Sequence, residues 1–350
     1  MNSNRTGKWE PTRLSEFVGQ PNLIKRLQVE IKAAKYHRKQ MRHAVFSGPE
    51  GVGKSLLPRL LANEFNSPPP VEIMGKAVTH ESLTQTLFSF TSGGYDRDGV
   101  LSHPEAQTQH FLVINECQRM SRELLNLMHP VLEPLPDGRR IFQAKQRGQT
   151  GPVWIVGFTC ILISNYIGEL SRVSAPTLSR FPLQHTFDLY SEDEIVNILQ
   201  QYANRLNVAV TDSAVRFLAR RVNGMARPAT ELFDRIVDFH LTEGHPGSIG
   251  EDLVKDFMDM EGIDANGLDR DMIKCLRALC TNPAGRLSQQ SLESMLATDT
   301  ATLTERIEPV LMRKGFVLKC SNGREITNAG RAALGAAGSN DDLFYSRRIA

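Results

Sequence analysis

A phosphate-binding signature constrains this chain more than any other segment. It reads Gly48-Pro49-Glu50-Gly51-Val52-Gly53-Lys54-Ser55 and stands between an apolar run and a leucine-rich stretch. It matches the P-loop at every defined position. The glycines let backbone N–H groups turn toward a phosphate chain, Lys54 can reach the terminal phosphates, and the Ser55 hydroxyl can bind Mg²⁺. The pattern therefore predicts a nucleoside triphosphate site between a strand and a helix.

The composition is typical of a soluble globular chain. It has 350 residues, 41% of them hydrophobic, and a net charge of +2, so two or three compact units are expected and any DNA contact must be local. No apolar run approaches the ~20 residues that span a bilayer, and the start lacks the apolar core of a signal peptide. Five cysteines without metal-ligand spacing favour a reducing compartment. We therefore expect a cytoplasmic protein.

Apolar runs alternate with helical spacing in the first half of the chain. One apolar face predicts a helix over residues 21–39. A second helix is expected over residues 56–65, with Pro58 tolerated in its first turn. Buried strands are predicted at residues 44–47, 111–114, 154–156 and 159–164. This alternation indicates an α/β fold with a parallel sheet flanked by helices.

The second half of the chain changes character at residue 191. Helical spacing recurs over residues 194–206, 213–221, 228–240 and 250–258. A further unit of short helices follows residues 262–267. It ends in two short segments, 316–319 and 324–327, that flank Ser321-Asn322-Gly323, and two strands around an Asn-Gly turn predict a β-hairpin.

Five side chains beyond the P-loop are candidates for the chemistry. Glu116 ends an apolar strand, where a carboxylate can polarise an attacking water. Asn165 ends another strand and can orient that water, the alternative being a simple turn residue. Arg180 and Arg227 are each a site residue or a surface arginine, and spacing alone does not decide. Asn115 stands where an Asp is expected; its amide oxygen can accept a hydrogen bond from a Mg²⁺-bound water but brings no charge.

Together these residues resemble the AAA+ ATPases, and their order is similar to that of the RuvB family of Holliday-junction branch-migration motors. The likeness runs from residue 9 to residue 334. Besides the P-loop it rests on residues 14–20, 33–35, 224–228, 267–269, 302–311, 314–316 and 323–324. It implies a AAA+ nucleotide-binding domain, a helical lid and a C-terminal winged helix. We place these at residues 1–188, 189–262 and 263–335, followed by a disordered tail at 336–350.

The resemblance also implies cofactors and roles. ATP and Mg²⁺ are expected, with Glu116 activating water, Asn165 as the first sensor and Arg227 as the second. Arg180 is implied to be an arginine finger offered to a neighbouring subunit, which makes a ring, typically a hexamer, the catalytic unit. The implied nucleotide contacts are Gly48 to Ser55 with Phe17 and Val18, and the implied metal contacts are Ser55 and Asn115.

DNA binding is implied by the winged helix. Its contacts would be sequence-independent and salt-sensitive, and the alternative interpretation of the same charges is a solvated face. The expected contact residues are Arg313, Lys314, Lys319 and Arg324.

Several features depart from the family pattern. Asn115 replaces an Asp, so ATP turnover is expected to be slow. Residues 89–109 form a longer segment than the family has, interpreted as a surface insertion or a contact loop. Residues 139–154 are strongly basic where the family carries the hairpin that docks a protein partner, so that surface is rebuilt for a partner or faces DNA. Only one arginine, Arg180, stands in the finger segment.

Two classes of function follow. The first is an ATP hydrolase of the DNA translocase type, a ring that moves or remodels duplex or branched DNA. The second is a nucleotide-gated regulator or adaptor ring with slow or absent hydrolysis, which Asn115 and the two altered segments motivate. A protein-remodelling machine is a weaker third class because of the winged helix.

Overall fold

The computed structural model describes residues 10–90, 109–133, 140–146, 149–155, 158–165, 173, 175–244 and 247–335. For residues 140–146 and 149–155 it describes the backbone alone. The chain forms two compact units, Met1–Tyr190 with Met225–Arg227, and Ser191–Gly224 with Pro228–Ala350. Most of residues 89–109 and the whole segment 336–350, predicted as a long insertion and a disordered tail, lie outside the described residues. None of the helices in the described part has the length and apolar character that a membrane crossing needs.

A five-stranded parallel sheet forms the centre of the first unit, as the sequence predicts. Its strands are β1 (Ala44–Ser47), β2 (Val71–Met74), β3 (His110–Asn115), β6 (Phe158–Ser164) and β7 (Leu183–Thr186), in the order β2-β3-β6-β1-β7. All seven residues of β6 are buried, because helices cover both faces of such a sheet. In the register of β1 and β6, Ser47 lies opposite Ser164. The carboxyl ends of the strands therefore meet at one edge.

Helices surround this sheet. They are α1 (Pro21–His37), α2 (Leu57–Glu64), α3 (His80–Ser89), α4 (Arg122–Leu132) and α5 (Ala175–Leu178). The predicted first helix is confirmed, and it ends two residues early because Arg38 adopts a left-handed conformation. The helix after the P-loop is also confirmed, with Pro58 in its first turn.

One predicted strand belongs to a different sheet from the one expected. Residues 154–156 were expected in the parallel sheet, but β4 (Arg140–Gln146) and β5 (Gln149–Ile155) form a separate antiparallel hairpin. A short apolar run shows that a strand is favoured but not which strand it pairs with. The basic segment 139–154 is thus largely this hairpin. Two strands of the parallel sheet, β2 and β7, have no counterpart in the prediction.

The second unit consists of a group of helices followed by a winged helix. Its first helices are α6 (Glu192–Leu206), α7 (Asp212–Ala219), α8 (Ala226–Thr242) and α9 (Glu251–Glu261), close to the predicted ranges. Ser191 begins α6 with a capping box, since its side chain accepts from the Glu194 amide and Glu194 accepts from the Ser191 amide.

The remaining elements confirm the winged helix. They are α10 (Arg270–Thr281), β8 (Arg286–Leu287), α11 (Gln289–Leu296), α12 (Glu308–Arg313), β9 (Val317–Cys320) and β10 (Gly323–Ile326). A π-helical stretch, Thr302–Ile307, leads directly into α12. The strands pair in the order β8-β10-β9, and β9 with β10 is the predicted hairpin.

Candidate nucleotide site and winged helix

The P-loop leaves β1 in a tight turn that requires glycine. Gly48 and Gly53 have φ values of 142° and 93°, a region that L side chains rarely adopt. A Cβ atom at Gly48 would lie 2.5 Å from the carbonyl oxygen of Phe187, the residue after β7. The loop backbone is therefore closely packed, and this close packing holds its N–H groups in place.

Lys54 lies inside the loop. Its side chain is buried, and Nζ donates hydrogen bonds to the carbonyl oxygens of Gly48 at 2.7 Å and Pro49 at 2.5 Å. Burial lowers the pKa of Lys54 to about 8, and the nearby Glu50 carboxylate opposes the shift. A phosphate chain in the loop would stabilise the charged amine, which the protein alone stabilises poorly.

Ser55 and Asn115 meet at the sheet edge, as their predicted role at a metal requires. The Ser55 hydroxyl donates to Asn115 Oδ1 at 3.3 Å. On the other side of the amide, Asn115 Nδ2 lies 3.5 Å from Glu72 Oε2. Hydroxyl, amide and carboxylate oxygens suit Mg²⁺. Among the described residues no cluster of three or more His, Cys, Asp or Glu side chains could hold a metal alone, so this donor set fits a cation shared with phosphates.

Glu116 follows β3 in a left-handed conformation, with a φ of 52°. Its Oε2 lies 3.2 Å from Nη1 of Arg119, one turn further on. Gly75, just after β2, packs against this turn so closely that a Cβ there would lie 2.4 Å from the Glu116 carbonyl oxygen. The Glu116 backbone is thus closely packed against Gly75, and its carboxylate has a cationic neighbour in Arg119.

Asn165 reaches the P-loop because β6 lies beside β1. Its Nδ2 donates to Glu50 Oε1 at 2.7 Å. The prediction placed both residues in the nucleotide site, and the sheet brings them into contact.

Phe17 also lies at the P-loop. Its ring is 3.0 Å from where a Cβ at Gly53 would stand. Gln20 fixes the segment that carries Phe17 and Val18, since its amide donates to Asp188 O at 2.6 Å and accepts from Asp188 N at 3.2 Å. Phe17 and Val18, both expected to contact the nucleotide, are half-buried here.

The two candidate arginines differ in position. The Arg227 backbone amide donates to Gly51 O at 3.1 Å, so its main chain touches the P-loop. The guanidinium of Arg180 instead donates to Glu133 Oε2 at 2.9 Å, at the end of α4, and to Pro176 O at 2.5 Å, in α5. Its side chain is 20% exposed. Both of these hydrogen bonds lie at α4 and α5, and neither is with the P-loop.

The prediction that Arg324 lies on the wing surface to contact DNA is wrong. Its side chain is only 7% exposed, and it donates to both carboxylate oxygens of Glu308, at 2.5 and 3.1 Å. Gln289 Oε1 accepts a further hydrogen bond at 2.9 Å. The pairing with Glu308 is bidentate because the planar guanidinium matches the geometry of a carboxylate. These hydrogen bonds connect β10 to α12 and α11 inside the winged helix. With its guanidinium paired inside the domain, Arg324 is not a DNA contact.

Replacing Arg324 should therefore destabilise the protein. Arg324→Ala leaves Glu308 as a buried, unpaired charge, which typically costs about 3–5 kcal/mol of folding free energy. Urea unfolding followed by circular dichroism measures the effect on the transition of the second unit. Lys319→Ala is the matched control, since Lys319 lies opposite Arg324 in the hairpin and is exposed. Equal midpoints for the two variants would contradict this assignment.

The other three predicted DNA contacts remain on or near the surface. Arg313 is exposed and donates to Pro309 O at 2.8 Å. Lys319 is exposed on β9. Lys314 is half-buried, and burial lowers its pKa. These cations surround the turn between α12 and β9.

Sequence reasoning missed three charged residues of the first unit. Glu72, Arg119 and Glu133 contact the predicted site residues Asn115, Glu116 and Arg180, respectively. A usable signal existed for Glu72, because Val71-Glu72-Ile73 alternates apolar and polar residues after three prolines, as a strand does. Arg119 and Glu133 carry no such signal, since exposed charges are common after a strand and at the end of a helix.

Three family models match almost the whole chain. Residues 9–187 match the P-loop domain of the Holliday junction DNA helicase RuvB. Residues 190–264 match the RuvB AAA lid domain, and residues 265–335 match the RuvB C-terminal winged helix domain.

Individual proteins agree with these matches. The Holliday junction branch migration complex subunit RuvB of Kosmotoga olearia is 30% identical over 346 residues, covering 94% of this chain and 91% of that protein. The structure of the Thermotoga maritima RuvB branch migration motor is 26% identical with a TM-score of 0.75, covering 93% of this chain and 97% of that one. A point mutant of the same motor gives a TM-score of 0.77. The chain is therefore a member of the RuvB family of AAA+ ATPases.

Proposed function

We propose that this chain is an ATP-driven motor that moves or remodels duplex or branched DNA, Holliday junctions above all, as a hexameric ring. The observation that carries the proposal is the contact of Asn115 and Asn165 with the P-loop at one edge of the sheet, with Glu116 next to Asn115 in the chain. It unites the parts that phosphoryl transfer needs, a phosphate cradle, a metal-side oxygen and a carboxylate for water. The family matches favour this motor over a nucleotide-gated adaptor ring.

Within one subunit the P-loop binds the nucleotide. Its N–H groups and Lys54 hold the phosphates, while Phe17 and Val18 lie beside the adenine. Ser55 and Asn115 would hold Mg²⁺ through their side-chain oxygens. When bound, the cation neutralises the charge that develops on the phosphates.

Hydrolysis then depends on a water beside the terminal phosphate. Glu116 accepts the proton of that water, and Asn165 orients it. As the water oxygen bonds to the γ-phosphorus, the bond to the bridging oxygen breaks and ADP leaves with the electron pair. Arg227 acts as the second sensor from the start of α8, where its backbone amide donates a hydrogen bond to the Gly51 carbonyl oxygen.

Assembly completes the site. Arg180 of a neighbouring subunit supplies positive charge to the terminal phosphate, so an isolated subunit hydrolyses ATP slowly. Arg313, Lys314 and Lys319 contact DNA phosphates, and the hairpin at residues 139–154 docks a protein partner. A cytoplasmic location belongs to the same proposal.

The proposal predicts DNA-stimulated ATP hydrolysis. Four-way junction DNA at low salt should raise turnover about tenfold or more, and the stimulation should fall steeply as salt increases because counterions compete for phosphate contacts. A coupled ADP-release assay with and without junction DNA measures this. A labelled junction with homologous arms, followed by gel electrophoresis, tests strand exchange in the same reactions.

The controls separate motor action from nucleotide binding. The Glu116→Gln variant should bind ATP and junction DNA but should catalyse neither ATP hydrolysis nor strand exchange. Linear duplex of the same length tests whether the branch matters. A natural protein that binds ATP yet shows neither DNA affinity at low salt nor DNA-stimulated turnover would contradict the proposal.

A further inference from the structure

Glu72 stands beside the residue that departs most clearly from the family pattern. It lies on β2, which runs parallel to β3 with Met74 opposite Asn115. Two positions earlier on the same strand, Glu72 places Oε2 3.5 Å from Asn115 Nδ2. The strand pairing therefore delivers a carboxylate to the side of Asn115 that faces away from the P-loop.

The amide of Asn115 is contacted on both sides. A carboxylate only accepts hydrogen bonds, so the NH₂ group must face Glu72. The amide oxygen is then directed to the other side, where Ser55 Oγ lies 3.3 Å away. With the opposite rotation, an oxygen would face a carboxylate oxygen and repel it. The charge of Glu72 thus decides which amide atom faces the predicted metal position.

Glu72 is itself fixed. Its Oε1 accepts from Arg59 Nε at 2.9 Å, and its side chain is 27% exposed. Arg59 belongs to α2, the helix that begins just after the P-loop, and its Nη1 also lies 3.1 Å from Glu10 Oε2. The Glu72 carboxylate is therefore held between a helix next to the P-loop and Asn115.

We propose that Glu72 is a positioning residue that compensates for Asn115. It directs the amide oxygen toward Ser55 and supplies, from the neighbouring strand, the negative charge that Asn115 lacks. An Asp at position 115 would place two carboxylates side by side, and like charges at this distance disfavour each other. Asn115 is thus the residue that suits a neighbouring Glu72. This inference rests on the proposed nucleotide site and concerns its metal.

The test measures how strongly Mg²⁺ tightens nucleotide binding. The probe is a fluorescent, non-hydrolysable ATP analogue, and its dissociation constant is measured once in MgCl₂ and once in EDTA. The Mg²⁺ coupling is the dissociation constant in EDTA divided by that in MgCl₂. Glu72→Gln is expected to lower this coupling about 10–100-fold, the usual effect of losing a group that orients a metal ligand. Affinity without Mg²⁺ should stay unchanged. Glu81→Gln, an exposed glutamate on α3, is the matched control.

A double-variant cycle distinguishes positioning from general structural damage. In the Glu72→Gln background, Asn115→Asp should restore the Mg²⁺ coupling about tenfold or more, whereas alone it should change the coupling by only about threefold. The unfolding temperature of the nucleotide-free variants confirms that each folds. Unchanged coupling in Glu72→Gln, or an equal effect of Asn115→Asp in both backgrounds, would overturn the inference. Failure of the natural protein to bind the analogue would instead overturn the proposed function.

Discussion

Arg180→Ala is expected to lower the ATP turnover number by about 10³–10⁵-fold, the range for removing an arginine finger. ATP affinity should change little, because the P-loop residues that bind the nucleotide lie in the same subunit as the nucleotide. In the structure the guanidinium contacts Glu133 and Pro176, and to act as the proposed finger it would exchange these contacts for a neighbour's phosphate. Steady-state hydrolysis in the presence of junction DNA measures the effect, beside a separate titration of nucleotide binding.

Mixed subunits show whether Arg180 acts across an interface. Arg180→Ala subunits keep Glu116, and Glu116→Gln subunits keep Arg180. If the finger acts on a neighbour, equal amounts of the two inactive variants should regain hydrolysis at those interfaces where one supplies the carboxylate and the other the arginine. A mixture as inactive as its components would contradict action between subunits.

Arg180→Lys is the conservative control. A lysine keeps the charge but loses the planar fork that contacts two phosphate oxygens at once. We expect this variant to recover only part of the lost turnover. Full recovery would mean that charge alone matters at this position.

Glu116→Gln is expected to lower turnover by about 10²–10⁴-fold, the usual contribution of a positioned general base. The amide has nearly the same shape, so nucleotide binding and folding should survive. The step that is slowed is proton transfer from the attacking water, because the neutral amide cannot accept the proton. Single-turnover hydrolysis measures this step apart from product release.

Glu123→Gln is the matched control, an exposed glutamate on α4 with no part in the proposed chemistry. It should retain natural turnover. Retention of turnover by Glu116→Gln would show that the natural chain already lacks efficient base catalysis, and that its nucleotide acts as a switch.

Much of the nucleotide site could be predicted because its signals are local. The P-loop is eight consecutive residues, and Asn115, Glu116 and Asn165 each follow a short, strongly apolar run. In a parallel sheet such strand ends share one edge. The contacts of Ser55 with Asn115 and of Asn165 with Glu50 follow from that rule.

The errors have a different origin. Arg324 reads as an exposed charge because arginine is rarely buried unless paired, and its partner Glu308 lies 16 residues away. Nothing in the local pattern connects them. The predicted strand at residues 154–156 was assigned to the wrong sheet for the same reason, since strand pairing depends on residues distant in sequence.

The sequence by itself determined that this chain binds a nucleoside triphosphate, and it marked Asn115 as an unusual residue at the expected metal position. Only the tertiary structure showed that Glu72 lies beside Asn115 and that Arg324 lies inside the winged helix. The physical reason is that a motif specifies backbone shape and functional groups over a few residues. The charge around each group is set by side chains that strand and helix packing brings from elsewhere in the chain.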